Sequence, residues 1–182
     1  MSANEANSNI RKNIEETVNS FLLSYEDGRV QNDTSIINRD VTPECTRQLL
    51  PASLLKALGA PESVVFSNDQ YEKLYADDLA VGGVYNTVTK NLVIDAEARR
   101  AAVTSKSDFK YKDGDSLVVE FSWTLNFNED GTKIDKVIEF ADADAVKRMA
   151  AKAQELQASR ETNGVNGDSG KLEKEVEFFE TG

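Results

Sequence analysis

Histidine is absent from the chain. Its absence excludes imidazole acid–base catalysis, the Ser-His-Asp and Cys-His nucleophile devices and most transition-metal sites. Chemistry must therefore come from carboxylates, tyrosine, lysine, arginine or one thiol. That thiol, Cys45, has no second cysteine to pair with, so a disulfide-stapled secreted fold is unsupported and a reducing, cytoplasmic compartment is expected. Basic residues are scarce beside acidic ones, 21 against 32, giving a net charge of −11 and a pI near 4.6. Nucleic-acid phosphates and anionic membranes would repel such a chain, and neither is expected as a partner. No apolar run approaches the ~18 residues of a membrane span. The polar opening from Met1 to Asn9 has no basic or apolar targeting region. Gly-x-Gly-x-x-Gly, Walker and calcium-loop spacings are missing as well, so no nucleotide cofactor and no metal is expected.

What is present suffices for one domain, since 182 residues with 40% hydrophobic content can build a real core. Residues 1–7 read as disordered. Ile10, Ile14, Val18, Phe21, Leu22 and Tyr25 then recur at steps of three and four, the stripe of an amphipathic helix that Asp27-Gly28 is expected to end. Asp33-Thr34-Ser35 caps a short second helix holding Ile36 and Ile37, and Pro43 closes it. A helical turn or two follows Pro51. Ser67-Asn68-Asp69 caps a further helix carrying Tyr71, Leu74, Tyr75 and Leu79, which Gly82-Gly83 stops. From there the period changes from helical to extended.

Val84 to Asp95 and Ala98 to Tyr111 read as two strands, the second poorly patterned. In Leu117 to Phe127 every odd position is apolar while four of the five even ones are polar, a half-buried strand. Asn128-Glu129-Asp130-Gly131 turns a hairpin into a last strand on which Ile134, Ile138, Phe140 and Asp142 share a parity. A helix over 146–159 and an acidic, glycine-rich, disordered tail over 160–182 complete the expectation. The predicted class is α+β.

The element order, the stretch Cys45-Thr-Arg-Gln-Leu-Leu-Pro-Ala-Ser-Leu and the hairpin Asn128-Glu-Asp-Gly-Thr-Lys-Ile resemble the SnoaL-like branch of the nuclear-transport-factor-2-like superfamily, and small fungal proteins within it. The resemblance spans residues 8–145. It implies a cone-shaped, curved antiparallel sheet closing over N-terminal helices around a pocket, and a homodimer through the outer sheet face carrying Glu120, Ser122 and Thr124. It also implies an apolar secondary-metabolite ligand, a polyketide or terpenoid, handled by a cofactor-independent isomerase or cyclase. Some proteins of this kind do no catalysis, so a non-catalytic ligand-binding or scaffold role is the alternative. Dehydratases of the branch work through pocket histidines, which this chain lacks.

Asp142 ends an apparently apolar strand face, where desolvation would raise its pKa and suit it to proton transfer; otherwise it caps the following helix. Tyr25 could offer its hydroxyl to a ligand carbonyl or pack at the helix end. Arg47 could hold Asp142 or a ligand oxygen, or lie on the surface. Trp123 with Phe121, Phe140 on Asp142's parity, and Tyr71 and Tyr75 on one helix face would form ligand walls or ordinary core. Cys45 reads as a buried, inert thiol.

Overall fold

The computed structural model describes residues 3–164; the tail expected to be disordered lies, from residue 165 on, outside the described residues. The chain opens with α1 (Ala3–Gln31), longer at both ends than the apolar stripe predicts. Gly28 does not end this helix. It is a contact point, since a Cβ there would stand 2.5 Å from the Tyr75 hydroxyl. Asp33 caps a 3-10 turn over Thr34–Asn38 by accepting from the Ser35 amide. Then come β1 (Val41–Leu50), α2 (Ala52–Ala57) and α3 (Asn68–Val81). A capping box fixes the start of α3, with Ser67 and Gln70 satisfying each other's amides.

Strands β2 (Gly82–Asp95), β3 (Arg100–Tyr111), β4 (Ser116–Phe127) and β5 (Ile134–Ala141) follow as an antiparallel meander. Strand β1 then adds to β5 in parallel, so the sheet is mixed rather than purely antiparallel, in the order β1-β5-β4-β3-β2. The sequence hides β1 because Pro43 and a polar centre interrupt it. Register shifts in β2 fall at Asn86 and Asn91, both at φ 56. Asparagine enters this left-handed region more readily than most residues, and bulges bend a strand, so β2 curls the sheet edge over α1.

Inside the concavity, Ile14, Val18, Phe21 and Leu22 of α1 pack on Val103, Trp123, Leu125 and Val137 as one buried cluster. A second cluster joins Val81, Phe109, Tyr111, Leu117 and Val119 to Ala145, and the half-buried Met149, Ala153 and Leu156 lean on it. The last three belong to α4 (Ala143–Gly164). Phe121 touches both clusters, and the space between them is not filled.

The face assignments on β5 differ from expectation. Ile134 is buried, and so are Val137, Glu139 and Ala141. Parity slips between Ile134 and Val137, close to the register shift at Asn126/Phe127 on the paired strand. A slip of one residue exchanges the two faces. Phe140 consequently lies on the convex side, 51% exposed, and Glu139 turns inward.

The seat of Gly28 against Tyr75 gives a stability prediction. Gly28→Ala gains up to about 1 kcal/mol of helix propensity but forces the Tyr75 hydroxyl from its 2.6 Å bond to the Tyr25 carbonyl. A net loss of about 1–3 kcal/mol is expected, visible as a lowered melting temperature. A variant as stable as the parent would show that Tyr75 yields freely.

Candidate functional site

The unfilled space between the two apolar clusters forms two chambers sharing the walls Tyr25, Tyr71, Tyr75, Asp78, Phe121 and Glu139. The inner chamber, about 80 Å³, reaches Trp123 and the serines of β3. The outer one, about 270 Å³, lies beneath Val146, Met149, Ala150 and Ala153 of α4.

Each wall residue is placed by its element. On β3 the inward positions run Ala101, Val103, Ser105, Ser107, Phe109 and Tyr111. Two small hydroxyls therefore stand where a filled core would hold large apolar groups. Ser105 accepts from Trp123 Nε1 at 2.8 Å, and Ser107 shares a 3.0 Å bond with Thr87. Trp123 is fixed further by edge contacts with Phe21 and a tilted contact with Phe121. On α3, Tyr71 and Tyr75 lie four residues apart on the face turned to α1, and Asp78 follows on the same side.

The chemical centre is Glu139, which pairs in register with Trp123 on β4 and Leu49 on β1. It is only 7% exposed. Tyr71 donates to its Oε2 at 2.7 Å, and the Tyr71 and Tyr25 hydroxyls are 3.1 Å apart. Because the Tyr71 proton is committed to Glu139, Tyr25 is the donor of that second bond. The order is Tyr25 to Tyr71 to Glu139. Oε1 of Glu139 has no hydrogen-bond partner among the described residues. Burial pushes the Glu139 carboxyl up to about 7, against the opposing pull of the Tyr71 bond and the Arg47 charge. The same desolvation raises the Tyr25 and Tyr71 phenols far above their ordinary range, and takes Tyr75 up to about 12.

Arg47 is 1% exposed and not a surface residue. Its Nη2 donates to the Ile37 carbonyl at 2.9 Å and to Asn38 Oδ1 at 2.8 Å, while Nε and Nη1 have no partner. The guanidinium lies 4.3 Å from the centroid of the Tyr71 ring and forms no ion pair with Glu139 among the described residues. It acts behind the tyrosine and does not line either chamber.

Asp78 lines both chambers without a hydrogen bond or ion pair to its carboxylate among the described residues. Desolvation, then the neighbouring charges of Asp77 and Glu139, push it up to about 7. Together, Glu139 and Asp78 place two proton-exchanging groups at neutral pH in one apolar space.

Asp142 stands elsewhere. It is exposed on the convex side of the sheet and caps α4, with Oδ1 accepting from the Asp144 and Ala145 amides at 3.0 and 3.2 Å. The parity slip on β5 is the reason, and it removes Phe140 from the chambers too. Tyr25, Tyr71, Tyr75, Phe121 and Trp123 are brought together as expected, whereas Arg47 stands one layer back. Sequence reasoning missed Glu139 and Asp78. A usable signal was the pair Ser105 and Ser107 on an inward parity, which marks where the core has a gap. Cys45 is buried, its thiol pushed up to about 11 by desolvation, as an inert cysteine should be. No group of three or more metal-ligating side chains occurs among the described residues, and no described helix is long and apolar enough to cross a membrane.

The fold with this half-empty cone is the cystatin-like, nuclear-transport-factor-2-like one. Particular structures share it. BvnE pinacolase from Penicillium brevicompactum superposes with a TM-score of 0.63 at 23% identity, over 87% of this chain and 97% of that one. PrhC from Penicillium brasilianum gives 0.66 at 16%, over 82% and 93%. AusH from Aspergillus nidulans gives 0.57 at 21%, over 72% and 85%. No family model matches the sequence, and no curated protein matches it either.

The buried carboxyl predicts a pH-dependent stability. With a folded value near 7 against an ordinary 4.5, Glu139 keeps its proton in the folded chain where the unfolded chain releases it. Its contribution to stability is thus greatest near pH 4.5 and is lost as pH rises to about 7. Glu139→Gln escapes that loss and keeps an acceptor for Tyr71. The variant should match the parent near pH 4.5 and exceed it by about 1–3 kcal/mol at pH 8 in denaturant titrations. Equal stability at both pH values would place the carboxylate in water.

Proposed function

We propose that the chain is a cofactor-independent isomerase or cyclase that moves a proton on an apolar small molecule of the polyketide or terpenoid kind. The observation that carries this reading is the Glu139 carboxyl, buried in an apolar cavity, poised near pH 7 and hydrogen-bonded on one oxygen only. A group with a pKa near the working pH both accepts and returns a proton efficiently, which an isomerisation requires. Oε1 takes the proton from a carbon next to a substrate carbonyl, and the C–H electron pair moves onto the carbonyl oxygen as an enolate until the proton is returned. Before the transfer, Tyr25 and Tyr71 stabilise the carboxylate at Oε2 through their hydrogen-bond chain, and Arg47 supports it through space behind the Tyr71 ring. The protonated carboxyl then returns the proton at another carbon. Trp123 and Phe121 orient the hydrophobic body and exclude water. Asp142, on the opposite face, takes no part. That the fold is shared with a protein named a pinacolase supports reading the cavity as a site for small-molecule chemistry.

A homodimer through the convex face belongs to the same proposal. Val118 at 45% exposure and Phe140 at 51% stand on that face with Glu120 and Ser122, and a partner sheet would cover them. A cytoplasmic location fits the buried free thiol.

Two tests follow. In turnover assays with candidate polyketide and terpenoid ketones, Glu139→Gln should lose about a hundredfold or more, while Asp142→Asn keeps full rate. The parent rate should rise with pH through about 7, and Tyr71→Phe, which removes a bond stabilising the carboxylate, should move that rise to higher pH. Activity retained in Glu139→Gln would refute the assignment; a tested set without turnover, together with tight binding, would favour a binding protein. For the dimer, light scattering should give twice the 20.1 kDa chain mass and Phe140→Lys should shift it to one; a monomeric parent would refute that part.

A further inference from the structure

The chambers are lined by acids and aromatic rings, with no lysine or arginine among their walls. Asp77, Asp78 and Glu139 border the outer chamber, and the rings of Tyr25, Phe66, Tyr71, Tyr75 and Phe121 surround it. Arg47 is separated from the space by the Tyr71 ring on which it stacks, and Arg29, behind Gly83, is engaged by the Val84 carbonyl and the Tyr85 ring. Lys152 on α4 is held outside by Asp113 and Asp115. The hydroxyl donors at the wall of the outer chamber are already engaged, Tyr25 to Tyr71, Tyr71 to Glu139 and Tyr75 to the Tyr25 carbonyl, whereas the serines that could serve a ligand oxygen line the inner chamber. What the outer chamber leaves unengaged is acceptor capacity. Oε1 of Glu139, on a side chain more than nine-tenths buried, and the Asp78 carboxylate have no partner among the described residues.

We propose that the preferred ligand carries a cationic nitrogen, a protonated tertiary or a quaternary amine, on an apolar body, with the nitrogen seated between Asp78 and Glu139 and against the tyrosine rings. Ring faces attract such a cation through their quadrupole, most strongly where water is excluded. Unpaired carboxylates in the same low-dielectric space supply the charge it lacks. The apolar body fills the region under Met149 and Ala153. This inference rests on the cavity being the functional site and refines its substrate from apolar to apolar and cationic. It makes the two carboxylates unequal in role. Asp78 is the anchor of the ammonium group, and Glu139, bonded to Tyr71, is left for proton transfer.

The test compares 4-hydroxyphenyltrimethylammonium with 4-tert-butylphenol, which has the same shape and no charge, by isothermal titration calorimetry at pH 8 on the full chain. The expected result is about tenfold or more tighter binding of the cation. Asp78→Asn should erase most of that preference while leaving 4-tert-butylphenol affinity unchanged, and Asp78→Glu should restore part of it. Emission from Trp123, the chain's single tryptophan, reports that both compounds enter the same cavity. Equal affinities, or tighter binding of the neutral compound, would overturn the cationic class and leave the proton-transfer reading intact. Absence of binding by both at millimolar concentration would overturn both readings. An Asp78→Asn variant with unchanged preference would overturn the anchoring role, and circular dichroism of that variant separates this from misfolding.

Discussion

The seating of α1 in the concave face of the sheet decides where this protein can do chemistry. Ile14, Val18 and Phe21 are fully buried against Trp123, Leu125 and Val137, and this contact fills the narrow end of the cone. Further along the helix, Arg29 ties it to β2 by donating to the Val84 carbonyl and stacking 3.7 Å above the Tyr85 ring. Apolar burial is what stabilises such a domain, and here it is divided between two clusters instead of being concentrated in one. The gap between them is a consequence of that division, and α4 closes its outer side.

Polar groups accumulate where the packing is incomplete. A buried carboxylate in a continuous apolar core would cost several kcal/mol and be lost in favour of a hydrophobic residue. At Glu139 the cost is offset by one short hydrogen bond, by a positive charge behind an aromatic ring and by partial neutralisation near pH 7. The Arg47 guanidinium carries a matching cost, since two of its nitrogens are buried without partners. Structural ion pairs close such costs by direct contact. These two residues stay apart, an arrangement that sacrifices stability and keeps the Glu139 carboxylate available to the chambers.

The sequence made the regular elements legible wherever burial on one side was continuous. The alternation in β4 and the capped start of α3 needed no tertiary information, the order of helices and strands carried the α+β class, and the resemblance of the Cys45 stretch and the Asn128 hairpin carried the cone. It failed where a local irregularity changed the rule. One slip in β5 exchanged Asp142 and Phe140 for Glu139 and Ala141 on the inner face, and nothing in a single sequence reveals a bulge of that kind. Strand β1 was invisible because its partner, β5, lies some ninety residues further along. Arg47 was singled out, yet its burial followed from that same unseen pairing. Asp78 carries no sequence signal of its own, and only the fold turns it toward the cavity.

The outer chamber owes its roof to a helix whose inward residues are small. Ala150 and Ala153 stand over the space with Val146 and Met149, and none of these side chains takes part in the hydrogen-bond chain below. Exchanging an alanine for a larger residue would shorten the chamber while leaving Glu139, Tyr71 and Tyr25 in place. Ligand size and reaction type are therefore set by separate stretches of the chain, and descendants of this scaffold could diverge in the molecules they admit through single substitutions in α4, with the proton-handling machinery inherited intact.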